Sequence, residues 1–125
     1  MEITKIYEFE AAHYLPHYDG ICKHLHGHSY RLEVTVSGPV KMMGVKQGMV
    51  MDFSDLKKII EGIPYCSSKK LDHSNLNKLY ENPTAEIMAE SIAFDLMSTL
   101  PEKISLRQVR LWETRTSYAT WRFDQ

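Results

Sequence analysis

Apolar side chains recur at every second position near both ends of this chain. Tyr7, Phe9, Ala11, His13 and Leu15 share one parity while Glu8 and Glu10 hold the other, which predicts a half-buried strand with His13 on its apolar face. A stronger alternation runs through Tyr30, Leu32, Val34 and Val36, with Arg31, Glu33 and Thr35 opposite, and stops at Ser37-Gly38-Pro39. Extended backward, the same parity carries His28 and His26. Toward the C-terminus, Val109, Leu111 and Glu113 alternate against Gln108, Arg110 and Trp112. Thr114 to Ser117 then supplies a turn, and Ala119, Trp121 and Phe123 begin a new alternation, so a hairpin is expected.

Between these ends the period changes to that of helices. Asp52 or Ser54 can accept a hydrogen bond from the first free amides of a helix in which Phe53, Leu56, Ile59, Ile60 and Ile63 form the apolar face, and Gly62 and Pro64 stop it. Pro83-Thr84-Ala85-Glu86 opens a second helix, with Ile87, Met88, Ile92, Leu96 and Met97 as its buried stripe and an end before Pro101. Residues 40–48 read as a connection leading to a short strand at Met49-Val50-Met51, and residues 65–82 read as loop. The order strand-strand-helix-helix-strand-strand predicts an α+β domain spanning residues 1–125, a four-stranded antiparallel sheet with two helices packed on one face.

Composition narrows the possible partners. Fifteen basic residues nearly balance sixteen acidic ones, so no global field draws the chain to nucleic acid or to an anionic membrane. No apolar run approaches the ~20 residues of a membrane span, and the first residues do not read as a signal peptide, so a cytoplasmic protein is expected. Cys22 and Cys66 are the two cysteines, too few for a disulfide framework in a chain that is 43% hydrophobic and able to build a core.

The densest chemistry lies in Cys22-Lys23-His24-Leu25-His26-Gly27-His28. Residues two apart on a strand project from one face, so His26 and His28 can present both imidazoles to one metal, and His13 joins them if the first two strands pair as an antiparallel hairpin. Three neutral imidazoles suit zinc and leave a fourth position open, the arrangement of a catalytic site. Two plainer readings stand beside this one. A lone His-x-His more often marks exposed polar residues, and Cys22 could close the shell as the fourth ligand of a structural zinc site. If Cys22 is not a ligand, the neighbouring cation and imidazoles favour its thiolate and make it a usable base or nucleophile. His17 and His24 have no assigned role, nor does Cys66.

Asp72-His73 offers a second proton-transfer group, since a carboxylate beside an imidazole stabilises its charged form and orients it. Glu113 lies on the apolar parity of its strand and needs a partner there; a ligand with paired N–H donors would serve, and so would an arginine such as Arg110 or Arg115.

These landmarks together resemble the 6-pyruvoyltetrahydropterin synthase family, and within it the queuosine-pathway 6-carboxytetrahydropterin synthases. They are Phe9-Glu10-Ala11-Ala12-His13, Cys22 followed by His26-Gly27-His28-Ser29, Met51-Asp52-Phe53, Leu71-Asp72-His73, Asn82-Pro83-Thr84-Ala85-Glu86 and Trp112-Glu113-Thr114. The resemblance implies that His13, His26 and His28 bind Zn2+, that Cys22 is the catalytic thiol, and that Asp72 and His73 complete a proton relay. Glu113 would anchor a pterin, and Thr84 would also touch it. It further implies the tunnelling fold, a homohexamer built as a dimer of trimers with active sites between subunits, and a small-molecule substrate, dihydroneopterin triphosphate.

The carboxy-forming branch releases acetaldehyde and triphosphate, whereas the pyruvoyl-forming branch keeps the three-carbon side chain. The compact Cys22-x-x-x-His26-x-His28 spacing resembles the former. A zinc-stabilised binding domain of the same fold without catalysis is the reading from another class. The cations that would hold the triphosphate are not identified by any motif, although Lys23, Lys69 and Arg115 are available.

Overall fold

A computed structural model describes residues 1–124. The elements in chain order are β1 (Glu2–His13), a 3-10 turn (Ile21–Lys23), β2 (His26–Ser37), α1 (Phe53–Glu61), β3 (Ser74–Asn75), a second 3-10 turn (Leu76–Lys78), α2 (Ala85–Thr99), β4 (Ser105–Thr114) and β5 (Ser117–Arg122). They form one sheet in the order β3-β1-β2-β4-β5, with α2 against β4 and β5 and α1 against β1.

Two helices on one face of a sheet agree with the sequence reading, but the sheet has five strands and is mixed. The addition is β3, two residues that pair parallel to β1 at Ala11↔Ser74 and Ala12↔Asn75. So short a strand inside a polar segment has no period to betray it. The strand expected at Met49-Val50-Met51 does not form. Val50 is buried, yet the backbone is spent on a turn, in which the Lys41 amide donates to the Met49 carbonyl and the Gly48 amide to the Lys41 carbonyl.

The alternation in β1 and β2 is realised as expected except at Leu15, which lies beyond the end of β1 at His13. Phe9, Ala11 and His13 of β1 and Tyr30, Leu32, Val34 and Val36 of β2 point into the core, joined by Val109 and Leu111 of β4. Phe9 and Tyr30 stack across the strands with ring centroids 4.9 Å apart, an arrangement worth about 0.5–1.5 kcal/mol beyond the area it buries.

Both helices begin on the caps that the sequence supplies. The Asp52 carboxylate accepts the Ser54 amide, and the Thr84 hydroxyl accepts the Ile87 amide. The stripe of α2 differs from expectation. Met88, Ala89, Ile92, Ala93 and Leu96 are buried, whereas Ile87 and Met97 are exposed. Ala89 and Ala93 let the helix approach the sheet closely, which centres its buried face on their side of the Met88-Ile92-Leu96 row and turns Ile87 and Met97 outward.

Candidate active site

Antiparallel pairing of β1 with β2 places His13 directly opposite His26 and Ala11 opposite His28. His28 is therefore the diagonal neighbour of His13 on the same face, within reach of an imidazole. The three rings converge, with potential ligand nitrogens all within 4.8 Å of one another. Ring centroids lie 4.7 Å apart for His13 and His26, 5.0 Å for His13 and His28, and 4.8 Å for His26 and His28. The thiol of Cys22 does not belong to this converging set.

Backbone carbonyls orient two of the rings. His13 Nδ1 lies 2.8 Å from the Pro83 carbonyl oxygen, and His26 Nδ1 lies 2.7 Å from that of His24. A carbonyl only accepts, so Nδ1 carries the proton in each ring and Nε2 is left as the lone-pair nitrogen of the neutral form. In the neutral ring of His13 that Nε2 is buried with no donor to satisfy its lone pair, because the carboxylate beside it, Glu113, can itself only accept. A buried, unpartnered imidazole nitrogen beside two further imidazoles is what a divalent metal ion would satisfy, and His13, His26 and His28 can hold one.

Glu113 supplies negative charge at the same place. Its Oε1 is 3.3 Å from His13 Nε2 and 3.7 Å from His28 Nε2. The β4–β5 pairing shifts register between Trp112 and Thr114, so Glu113 sits at a bulge, a device that re-aims one side chain beside a functional site. The inward carboxylate thus finds its partners in the imidazoles rather than in Arg110, whose guanidinium stacks over Tyr118 and donates to the Thr120 hydroxyl.

The titration of the cluster follows from these contacts. Burial opposes a charge on His13, but the Glu113 carboxylate and the Pro83 carbonyl outweigh it and raise the pKa. In His28, burial together with the neighbouring imidazoles outweighs Glu113 and lowers the pKa. Glu113 is held below the usual carboxylate range, first by His13 and then by the charges of His28 and His26, against the cost of burial.

Asp72 and His73 are tied to β1 at a single residue. The Asp72 carboxylate accepts the Glu10 amide at 3.0 Å, and the His73 amide donates to the Glu10 carbonyl at 2.6 Å. His73 Nδ1 lies 3.0 Å from Asp72 Oδ1, and the His73 side chain is 80% exposed. His73 adopts a left-handed backbone (φ 59°), uncommon for a residue with a side chain and held here by those two anchors on β1. The Glu10 amide is the main reason that Asp72 stays ionised further into acid than a free aspartate, with His73 adding to it.

His73 and Ser74 border a cavity of about 450 Å³ lined by Glu10, Ala12, Gly27 and Ser29 of the outward parity and by Ala11 and His28 of the inward one. Among the described residues, no hydrogen bond or ion pair joins the dyad to the three imidazoles or to Cys22.

Cys22 is half-buried and free, in the 3-10 turn before β2, and its carbonyl accepts the Leu15 amide at 2.9 Å. Cys66 is free and exposed. Thr84 caps α2 next to Pro83, whose carbonyl orients His13, so the start of α2 abuts the imidazole cluster. The sequence reading did not single out Pro83, Glu10 or Tyr30 as partners of the site. The first two act through backbone atoms, which no residue type announces. The Tyr30 hydroxyl lies 3.3 Å from His13 Nδ1, and the parity shared with His28 was the available signal.

Residues 2–124 match the family model described as 6-pyruvoyl tetrahydropterin synthase. The chain belongs to that family. It is 35% identical to a 6-carboxy-5,6,7,8-tetrahydropterin synthase of Haemophilus influenzae, with 96% of this chain and 97% of the relative covered. The protein of the same name from Synechocystis is 42% identical, with 95% and 91% covered. A dihydroneopterin monophosphate aldolase of Pyrococcus furiosus is 44% identical over a shorter stretch, 71% of this chain and 70% of the relative. Among solved structures, the 6-pyruvoyl tetrahydropterin synthase of Caenorhabditis elegans superposes with a TM-score of 0.77 at 26% identity, covering 99% of this chain and 96% of that one. All these names are those of pterin enzymes, so membership places the chain among enzymes, and the imidazole cluster is its candidate centre.

Proposed function

We propose that this chain is a zinc-dependent lyase that converts 7,8-dihydroneopterin triphosphate to 6-carboxy-5,6,7,8-tetrahydropterin with release of acetaldehyde and triphosphate. The observation that carries the reading is the convergence of three imidazoles, two with Nε2 freed by carbonyl bonds at Nδ1, around one point beside a carboxylate. Near-complete coverage of two 6-carboxytetrahydropterin synthases favours the carboxy-forming branch over the aldolase, whose likeness spans less of the chain.

Bound by His13, His26 and His28, zinc would polarise the hydroxyl oxygens of the substrate side chain and so acidify the protons on their carbons. The remaining roles fall to the chain's own groups. Glu113 accepts the paired N–H donors of the pterin ring, a bidentate match that gives its inward direction a purpose. Thr84, the cap at the head of α2, contacts the same ring in this reading. The Cys22 thiolate takes a proton from the side chain, and His73, oriented by Asp72, returns one. Ring reduction is coupled to side-chain oxidation within one molecule, so no separate redox cofactor enters.

Within one chain the dyad is bonded to itself and to the Glu10 backbone, not to the imidazoles among the described residues, and the His73 side chain is exposed. This supports an active site shared between subunits, with the Asp72-His73 pair of one chain serving the imidazoles of the next, in a homohexamer of two trimers. Among the described residues no helix is long and apolar enough to cross a membrane, which fits the cytoplasmic setting we assign to it.

The test is incubation of the metal-loaded protein with dihydroneopterin triphosphate, followed by mass analysis of the pterin and an acetaldehyde assay. We expect 6-carboxytetrahydropterin with one equivalent each of acetaldehyde and triphosphate. A pyruvoyltetrahydropterin product without acetaldehyde would move the chain to the other branch. In a parallel incubation with dihydroneopterin monophosphate, cleavage without ring reduction would make it an aldolase. Tight metal binding with no turnover of any of these would leave a binding domain.

A further inference from the structure

A second and larger cavity, of about 710 Å³, lies beyond the C-terminal end of β2, where Pro39 and the turn after it meet α1 and the segment after α2. His26 stands at the other end of the same strand, so roughly 35–40 Å of extended chain separates the two regions. The volume is within the range of about 300–1,000 Å³ typical of small-molecule sites.

Its wall is apolar and its rim is cationic. Val50, Met51, Ile59 and Ile104 contribute carbon surface; Val50 is buried, and the other three pack against the core. Lys46 is bound by both Asp52 and Asp55, a trio that offsets one of the two carboxylate charges and holds both side chains in place. Lys41, Lys58 and Lys103 border the same space and are not ion-paired among the described residues; set against Glu102 and the carboxylate charge left by Lys46, they give the lining four lysines to three carboxylates, a small positive excess.

The turn forming one side is built rather than loose. Gly44 and Gly48 take left-handed backbone (φ 85° and 87°), a conformation that glycine adopts without strain, and paired amides at Lys41 and Gly48 close it. An unpaired positive rim over an apolar wall is costly to leave facing neutral apolar matter and ill suited to a cation. It matches a molecule that has a ring to bury and a negative group to present.

We propose that this cavity is a second ligand site, remote from the imidazoles, for a small amphipathic anion: a flat apolar ring bearing one phosphate, sulfonate or carboxylate. The ring lies against Met51, Ile59 and Ile104, where the methionine side chain adapts to its outline, and the anion is taken by Lys58 and Lys103.

The probe is 8-anilinonaphthalene-1-sulfonate, titrated by fluorescence into the metal-loaded full chain. We expect saturable binding of one probe per chain. It should weaken by about tenfold when Lys58→Glu and Lys103→Glu are combined, and by a similar factor for the uncharged analogue N-phenyl-1-naphthylamine. Both lysines are exposed, so circular dichroism of the double variant should be unchanged. Ile59→Glu should abolish binding, and the lysine variant keeps the test decisive if that protein fails to fold. Absence of saturable binding overturns the proposal, as does indifference to the lysine reversals. Probe lost in His26→Ala, or displaced by a pterin, would place it at the imidazoles and overturn the proposal equally.

Discussion

Oε1 of Glu113 stands 3.3 Å from Nε2 of His13, the ring nitrogen left without a proton once Nδ1 has donated to the Pro83 carbonyl. A lone pair and a carboxylate oxygen repel one another at that separation, so the pair is stable when a positive charge lies between or on them. A proton on His13 meets that need without metal, and a divalent cation held by His13, His26 and His28 meets it better.

In metal-free protein the His13 imidazolium should therefore titrate above the ordinary histidine value, and Glu113→Gln should bring it down. The sign of the stability effect follows. The raised His13 pKa contributes stability present below the unfolded value and lost as pH rises through the folded one. The depressed Glu113 pKa contributes stability present above its unfolded value and lost as pH falls through its folded one. The pair is most effective between those limits, so the stability advantage of wild type over Glu113→Gln should shrink as pH rises from about 6 to 9. NMR titration of the ring and denaturant unfolding of both proteins check this; an advantage that grows with pH is the contrary result.

His26→Ala should lower metal affinity by well over the roughly 10–100-fold typical of losing a supporting hydrogen bond, since it removes a ligand outright. The fold should survive because the core is filled by other residues and His26 is only half-buried. Elemental analysis with circular dichroism reads both. A folded variant at full metal occupancy would contradict the assignment.

Asp72→Ala removes the acceptor that fixes both the Glu10 amide and the His73 ring, on an exposed edge of the sheet. We expect turnover to fall by about 10²- to 10⁴-fold with secondary structure and metal content unchanged. Turnover within a factor of two or so of wild type would remove the dyad from the proton path.

Thr84→Ala should cost about 1 kcal/mol of stability through loss of the α2 cap, and Thr84→Ser should restore most of it. Because Pro83 is adjacent and orients His13, the alanine variant should also bind metal less tightly than the serine variant. Equal metal affinities in the two would confine Thr84 to capping and to any contact with substrate.

Much of this site was legible from spacing. Period-two alternation puts His26 and His28 on one face of their strand and His13 on the apolar face of its own, because side-chain direction along a strand is set by the pleat itself. The same rule turned Glu113 inward. What alternation could not reveal was its partner, since Glu113 and His13 are far apart in sequence and meet only because β4 pairs β2 and β2 pairs β1, with the β4–β5 register shift falling at Glu113. Asp72 and His73 stood out as polar residues in a loop, but their anchors are the amide and carbonyl of Glu10, groups that every residue except proline carries alike. The short β3 escaped detection for the same reason, being defined by pairing rather than by composition.

By itself, then, the amino-acid order determined the caps and extents of two helices, the faces of the long strands and which imidazoles could act together, because these depend on local backbone periodicity and on near neighbours in the chain. The tertiary structure decided the fifth strand, the carbonyls that set the ring tautomers, the imidazole partners of Glu113 and the lysine-rimmed cavity at the far end of β2. Each of those depends on distances between segments remote in sequence, which the local pattern of side chains does not encode.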